Sequence, residues 1–510
     1  MTASKTIISK SDITSRLLKK KLFPQQNLTI QCHHISGLLF RDLLDLYLTF
    51  SGAKQWEWIN SKGHSQPRQS LTQILFNLFR DLQSWPVSYL KKARETEKLF
   101  KSNKICQNFK EQSPGLYLRT DHWFGTTSGG AFAHLMGVIR AFRSLKYQIQ
   151  VVSSGPIPGI DGDEDFYLCE PAIKSGRNIP NMAELNYNDQ LKLFLEKNWP
   201  QWNPSFIYQR YSLLNYAGVY LRQKYGVPLI CEYNGSLPWK IRHWQGRPLL
   251  HEKLALRIEL LNMHAADVVV VVSQALAEEL IKRGISPEKI LINPNGVDTE
   301  MYSPDVDGSE IRKKYRLTGK TVIGFIGSFA EYHGVEILVE AFRKLFKEFP
   351  EYKGQAGLLL IGDGAAFETV KKNINEYDLS DDCILTGSVP QMEGPVYLSA
   401  CDILTSPFLP NSDGTPFFGS PIKLFEYMAM GKAIVSTDLG QIPDILKHEQ
   451  TGWLVKPGDI EALKNAIKIL VDDKNQRERL GKAARKEAIA KYTWKQHTMK
   501  IIDKLGEVSG

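Results

Sequence analysis

A chain of 510 residues is too long for one hydrophobic core and predicts two or three domains, with 43% hydrophobic and 23% charged residues typical of a globular protein. Six scattered cysteines (Cys32, Cys106, Cys169, Cys231, Cys383 and Cys401) show no paired metal spacing, which argues against a zinc site or a disulfide framework and for a reducing, cytoplasmic setting. The net charge of +9 is concentrated in residues 1–115, with roughly 18 Lys and Arg against about 8 Asp and Glu, so any basic surface belongs to the N-terminal end.

Met1 to Lys21 lacks the apolar core of a signal peptide, and the densest apolar run, Val268 to Val272, is far too short to span a bilayer. Residues 1–112 are expected to form a helical, basic extension. Leu38 to Phe50 is strongly apolar, and Leu71 to Leu82 and Val87 to Phe100 are amphipathic, the last carrying Lys91, Lys92, Arg94 and Lys98. Trp56, Trp58 and Trp85 lie between them. Basic helices with aromatic neighbours can dock on an anionic membrane surface, which would make the protein peripheral at the inner face of the membrane. The competing reading packs these helices on the body of the protein with their charges solvated. No nucleic-acid-binding motif is present.

At Gly115 the pattern changes. Leu116 to Leu118 reads as a strand, Arg119 to Gly130 as a Gly-rich turn, Ala131 to Leu145 as a helix and Gln148 to Ser153 as a second strand. This is how a doubly wound parallel sheet opens. Gly129 and Gly130 allow a ligand to approach the helix N-terminus, although the spacing is not GxGxxG. His134, one turn further, suits packing as well as chemistry. Strands at Ser205 to Tyr208 and Pro228 to Cys231 end at Arg210, Glu232 and Asn234, where ligands of such sheets bind. Asp267 to Val272 and Lys289 to Ile292 complete this sheet, and Asn295-Gly296 marks its end. A second sheet begins with Val322 to Ile326, followed by the loop Gly327 to Gly334 and the helix Val335 to Phe346.

The segment Ser420 to Lys432 carries the strongest local signal. Ser420 suits a helix N-cap and Pro421 the first helical position. The N–H groups of Ile422, Lys423 and Leu424 would then face forward beside the Lys423 charge, as an anion site. Glu426, four residues after Ile422, lies on the same face and suits sugar hydroxyls such as a ribose's. Together these point to a nucleotide-linked ligand; a capped amphipathic helix with a surface lysine is the plainer alternative.

Three blocks carry a family resemblance: VSQALAEELIKRGISPEKILINPNGVDTEMYSP, GFIGSFAEYHGVEILVEAF and SPIKLFEYMAMGKAIVSTDLG. Over about residues 113–505 the chain resembles the family-four retaining glycosyltransferases of the GT-B fold, in particular a subgroup with an HG loop and a SPxKxxEYM helix. The resemblance implies an α/β protein of two Rossmann-like, doubly wound domains facing a cleft. The acceptor domain would span 113–300 and the nucleotide-sugar domain 301–488, with 489–510 a C-terminal helix crossing back to the acceptor domain. It also implies a nucleotide-sugar co-substrate, a glycan or lipid-linked acceptor, and neither cofactor nor metal. By this resemblance Lys423, Glu426 and His333 would be catalytic. Gly327, Ser328, Gly334, Phe418, Gly419, Ser420, Ile422, Leu424, Gly129 and Gly130 would surround the donor, and Arg210, Glu232, Asn234 and His134 the acceptor. Two positions depart from the family pattern: Phe418 stands where a first Glu is usual, and Ser328 and His333 where Arg and Lys usually clamp the diphosphate. A non-catalytic nucleotide- or glycan-binding protein and a sugar-nucleotide epimerase or hydrolase are the competing functions, since Rossmann sheets host many chemistries.

Overall fold

The computed structural model describes residues 6–9, 13, 27–32, 40–59, 63–102, 106, 109–111, 113–121, 129–172 and 175–509. Most of Met1 to Lys21, the start of the Leu38 to Phe50 run and residues 122–128 of the Gly-rich turn lie outside the described residues.

The extension is not purely helical, which corrects the sequence expectation. Four strands, Thr6–Ser9, Asn27–Gln31, Gln55–Ile59 and Ser65–Pro67, form a small sheet in that order. Alternate residues point inward: Leu28 and Ile30 from one strand, Trp56 and Trp58 from the next, against Leu44 and Leu48 of the helix Arg41–Phe50. Both indole N–H groups donate to Asp45 Oδ1, at 2.6 and 2.8 Å, so a buried carboxylate is satisfied by the tryptophans that hide it. The period-two spacing of Trp56 and Trp58 is the strand signal that a helical reading passes over.

A 31-residue helix, Leu71–Lys101, then runs along the first α/β domain, with Ser70 capping it through the Gln73 amide. One face is anchored. Asp81 accepts the Gly176 amide at 2.8 Å, Trp85 Nε1 reaches His251 Nε2 at 3.1 Å, and the buried Lys92 pairs with Asp189. The extension is thereby fixed to the domain that follows it.

That domain is a seven-stranded parallel sheet, ordered 290–292, 268–271, 229–233, 206–210, 115–119, 149–153 and 166–168. Its strands are apolar throughout because helices cover both faces; all four valines of Val268–Val271 are buried. The second domain has six parallel strands, ordered 383–385, 356–361, 321–326, 403–406, 433–437 and 453–455. In each sheet the first strand in sequence lies centrally, with later strands added to either side. A crevice opens where the order reverses, at the carboxyl ends of Gly115–Arg119 and Thr321–Ile326.

The last helix, Trp494–Ser509, leaves the second domain and packs on the first. Trp494, Ile501, Ile502 and Leu505 join the core formed by the helix Gly130–Ser144 and the strand Val268–Val271. Gly137 leaves room for it: a Cβ there would lie 2.3 Å from the Trp494 ring.

Candidate functional site

The two crevices face each other across a cleft of about 400 Å3. Its second-domain wall is the helix Ile422–Ala429, which begins one residue later than the sequence predicts. Ser420 is not its N-cap. Its hydroxyl instead accepts the Asn295 amide at 3.1 Å, and its carbonyl accepts Asn295 Nδ2 at 2.6 Å. Pro421 takes the cap position, with no side-chain bond to the helix. The Leu424 amide also leaves the expected donor set, since it donates to the Pro421 carbonyl at 3.0 Å. The Ile422 and Lys423 amides remain as the forward pair at the positive end of the helix. The Ile422 side chain is buried in the core of the first domain, so the two helix N-termini meet at Gly130.

Lys423 is enclosed rather than exposed. Its ammonium lies 4.0 Å from the centre of the Phe325 ring and 5.3 Å from that of Phe408, and no hydrogen-bond acceptor serves it among the described residues. Gly327 is shaped by this lysine, for with φ at 146° a Cβ there would come 2.5 Å from Lys423 Nζ. Burial pulls the ammonium down to about 7, against partial support from Glu426. Burial pushes the Glu426 carboxyl up to about 7, opposed by a Tyr302 hydrogen bond and by Lys423. Burying an ammonium that makes no hydrogen bond is costly, and Glu426 offsets that cost only in part.

His333 sits at the turn before the helix Val335–Glu348, its Nδ1 toward the Ser328 carbonyl and 3.1 Å from the Ser328 hydroxyl. Burial, then Lys423, pulls it down to about 3, so it is a neutral imidazole at physiological pH. Gly334 beside it has φ of 66°, and its missing Cβ would meet the Pro407 carbonyl oxygen at 2.0 Å. Only glycine lets this loop close on the strand end.

Phe418, where the family pattern has a carboxylate, joins an aromatic wall. It stacks on Trp244 at 5.7 Å, and Trp244 in turn stacks on Tyr332 of the second domain at 5.0 Å. Phe417 packs behind Gly419, which lines the cleft. Opposite, Gly129 donates its amide to Gln391 Oε1 at 2.8 Å, and Gln391 Nε2 donates to the Tyr302 hydroxyl at 3.1 Å. With Tyr302 bonded to Glu426, this chain ties the Gly-rich turn of one domain to the central helix of the other.

The residues expected on the acceptor side form one network. Glu232 accepts Arg210 Nη1 at 2.8 Å and the Tyr208 hydroxyl at 2.9 Å, also binds Asn234, and lies 3.0 Å from His134 Nε2. Burial would raise this carboxyl, but Arg210 and His134 outweigh it and hold it well below the usual range. His134 Nδ1 meets Asn295 Oδ1 at 2.7 Å. Arg210 and Asn234 reach the cleft directly and His134 lines its floor; Glu232 does not line it and acts through them.

Sequence reading did not single out Lys240, Trp244, Tyr302 or Gln391. Lys240 Nζ donates to the Asn234 carbonyl, and burial followed by Arg210 lowers it to about 8. Lys240 and Trp244 share one short helix and its cap, while Tyr302 and Gln391 come from distant parts of the chain, and no motif in any of these segments marks them.

The family description Glycosyltransferase Family 4 matches residues 128–301, and Glycosyl transferases group 1 matches residues 307–487, together more than two thirds of the chain. A GDP-mannose-dependent alpha-(1-6)-phosphatidylinositol monomannoside mannosyltransferase of Mycobacterium tuberculosis is 26% identical, over 41% of this chain and 54% of that one. The sulfoquinovosyl transferase SQD2 of Arabidopsis thaliana is 27% identical, over 57% of this chain and 54% of that one. The chain thus spans about half the length of these curated relatives. Among solved structures, the sucrose-phosphate synthase of Thermosynechococcus elongatus superposes with a TM-score of 0.60 at 21% identity, over 76% of this chain and 98% of that one. HepE of Anabaena in complex with UDP-glucose gives 0.58 at 18% identity, over 78% of this chain and 100% of that one. Glycosyltransferase family descriptions thus match the two domains one by one, and the fold they build is GT-B.

Proposed function

We propose that the protein is a retaining hexosyltransferase that moves a sugar from a nucleotide-sugar to a glycan, lipid-linked or small-molecule acceptor in polysaccharide or glycoconjugate synthesis. The observation that carries this reading is the buried Lys423 at a helix N-terminus, its ammonium without a hydrogen-bond acceptor among the described residues, with Glu426 one turn along and facing the same cleft. A diphosphate supplies the charge Lys423 lacks, and Glu426 accepts from ribose hydroxyls. Gly327, Ser328 and Gly334 form the loop around the diphosphate, and neutral His333 contributes a hydrogen bond rather than a charge. The curated relatives whose names specify a donor or sugar, and HepE with UDP-glucose, support a nucleotide-sugar as that ligand.

In the proposed step the acceptor oxygen bonds to the anomeric carbon on the face from which the phosphate departs. The acceptor proton passes to the leaving phosphate oxygen. The positive helix end and Lys423 stabilise the charge that develops there, so neither a protein nucleophile nor a metal is required. Arg210 and Asn234 present the acceptor, held in place by Glu232 and His134. Residues 1–112, with their basic excess, would bring the site to an anionic membrane surface.

Proton NMR of the first product formed with excess acceptor, with and without EDTA, tests this. An anomeric configuration matching the donor, unaffected by EDTA, is expected; inversion or loss with EDTA overturns it. Phe418, Ser328 and His333 at altered positions favour a second reading, a non-catalytic nucleotide- or glycan-binding protein, which would bind donor and never turn it over. Turnover of donor without acceptor would instead mark an epimerase or hydrolase.

A further inference from the structure

Beside the donor cleft lies a second, larger cavity of about 850 Å3 between the first domain, the extension helix and the Thr415 to Phe418 loop of the second domain, its apolar lining formed by Phe100, Trp239, Leu256, Leu260, Leu276 and Phe418. The short helix Leu237–His243 divides the two, presenting Trp239 to the apolar groove and Lys240 to the cleft. Phe418 lines both, so the groove ends where the donor sugar would lie. Charges of both signs also line it, with Arg242 paired to Glu252, Arg257 Nη2 3.8 Å from Glu97, and Lys282 beside Glu278 and Glu279, so the cations that would meet an anionic head are those of the cleft rather than of the groove.

The outer end of the groove is as informative as the inner. Phe100 belongs to the long extension helix, whose inner face is anchored to the domain while its outer face carries an apolar stripe. Leu71, Leu75, Phe79, Leu82, Pro86 and Leu90 follow one another at spacings of three and four, and so share one side of the helix over about 28 Å. Leu75, Phe79, Leu82 and Leu90 are each more than half exposed. Phe76 and Val87 widen the stripe, and the exposed Lys91, Arg94 and Lys98 flank it. An apolar stripe beside a row of cations is the face of a helix lying in an anionic lipid surface. A soluble sugar acceptor uses neither such a stripe nor an apolar groove leading from it to the donor.

We infer that the acceptor is an anionic amphiphile, whose single apolar chain lies in the groove between Phe100 and Phe418 and whose head reaches Lys240 and Arg210 in the cleft. The long helix rests on the lipid surface from which the chain is drawn, with Phe100 as the entry. This inference rests on the cleft being the donor site, and the two are separable because different ligands report them.

The probe is cis-parinaric acid, a single-chain anionic amphiphile that fluoresces when its chain leaves water, titrated into the full-length protein. Binding at micromolar concentration, competed by dodecyl phosphate, is expected. Two variants at a partly exposed groove position, Leu256→Glu and Leu256→Trp, add charge or fill the groove, and each should weaken parinarate at least tenfold while nucleotide-sugar binding by calorimetry stays within twofold. No binding to the wild-type chain, or equal binding by either variant, overturns the inference. So does a stable dimer that binds no probe and that Leu256→Glu splits, which would assign the groove to a second copy of the chain. Parinarate binding with no affinity for any nucleotide-sugar would leave the groove standing and remove the donor site.

Discussion

Replacing Lys423 by methionine separates the two things this side chain does. Methionine keeps most of the volume between Phe325 and Phe408 and removes the charge. In the free chain, burial lowers the ammonium from 10.5 to about 7, which at 1.36 kcal/mol per pH unit corresponds to about 5 kcal/mol of charge burial beyond what Glu426 offsets. At neutral pH nearly all of that cost is still felt, because giving up the proton there costs as much as burying it, and it fades only as the pH rises toward 10.5. Lys423→Met should therefore leave the ligand-free chain as stable as wild type or more so. The same change removes the charge that meets the diphosphate, and by analogy with loss of one oxyanion donor the barrier should rise by about 3–4 kcal/mol, a fall of about 10²–10³ in kcat. The pH dependence gives an independent reading. Above pH 7 the free lysine is increasingly neutral and must take up a proton to meet the anion, so donor affinity should fall with rising pH, approaching tenfold per unit. Binding to Lys423→Met should lack this alkaline decline. Calorimetry with the nucleotide-sugar between pH 6.5 and 9, alongside thermal unfolding of the free proteins, measures both. A variant that unfolds earlier than wild type and binds donor with unchanged affinity and pH dependence would refute the reasoning.

Other consequences follow from the same geometry. Gln391→Ala removes the bridge from Gly129 to Tyr302, two hydrogen bonds worth about 1 kcal/mol each; the ligand-free chain should open, seen as a larger radius of gyration in solution scattering, and an unchanged radius would count against a latch. Trp494→Ala leaves a hole against Gly137 and His134, and should cost about 3–5 kcal/mol, read as a lower unfolding temperature of the first domain. His333 and His497 are both held near 3 by burial, against an ordinary 6.5. The folded chain then binds fewer protons than the unfolded one below pH 6.5, so their contribution to stability is complete above that value and is lost as pH falls from 6.5 toward 3. Replacing His333 by Gln should flatten part of that decline without introducing a new limb near pH 6.5 in the rate.

Much of the fold was legible in the sequence because a parallel sheet covered on both faces writes itself as apolar runs. Val268 to Val272 and Leu358 to Ile361 can hardly be anything else, and the helices between them follow from their periodicity. Lys423 and Glu426 were legible because a single helix brings them together. Ser420 was misread because the capping rule is local, whereas its hydroxyl is taken by Asn295, 125 residues away. Trp56 and Trp58 were read as separators of helices, although their alternation belongs to a sheet strand that packs on the helix carrying their shared partner Asp45. Tyr302, Gln391, Lys240 and Trp244 were invisible for a related reason, since each is ordinary in its own segment and acquires meaning only where the two domains meet. Glu232 shows the reverse case. Its place at a strand end marked it for ligand contact, and the structure satisfies it internally with Arg210, Tyr208, Asn234 and His134.

The most direct measurement is calorimetric titration of UDP-, GDP- and ADP-linked sugars into the wild-type chain and into Glu426→Ala. One nucleotide-sugar should bind wild type tightly and lose that affinity in the variant, identifying the donor and fixing it at the central helix. Binding of none of them, or binding that Glu426→Ala leaves untouched, would contradict the assignment of the cleft as the donor site.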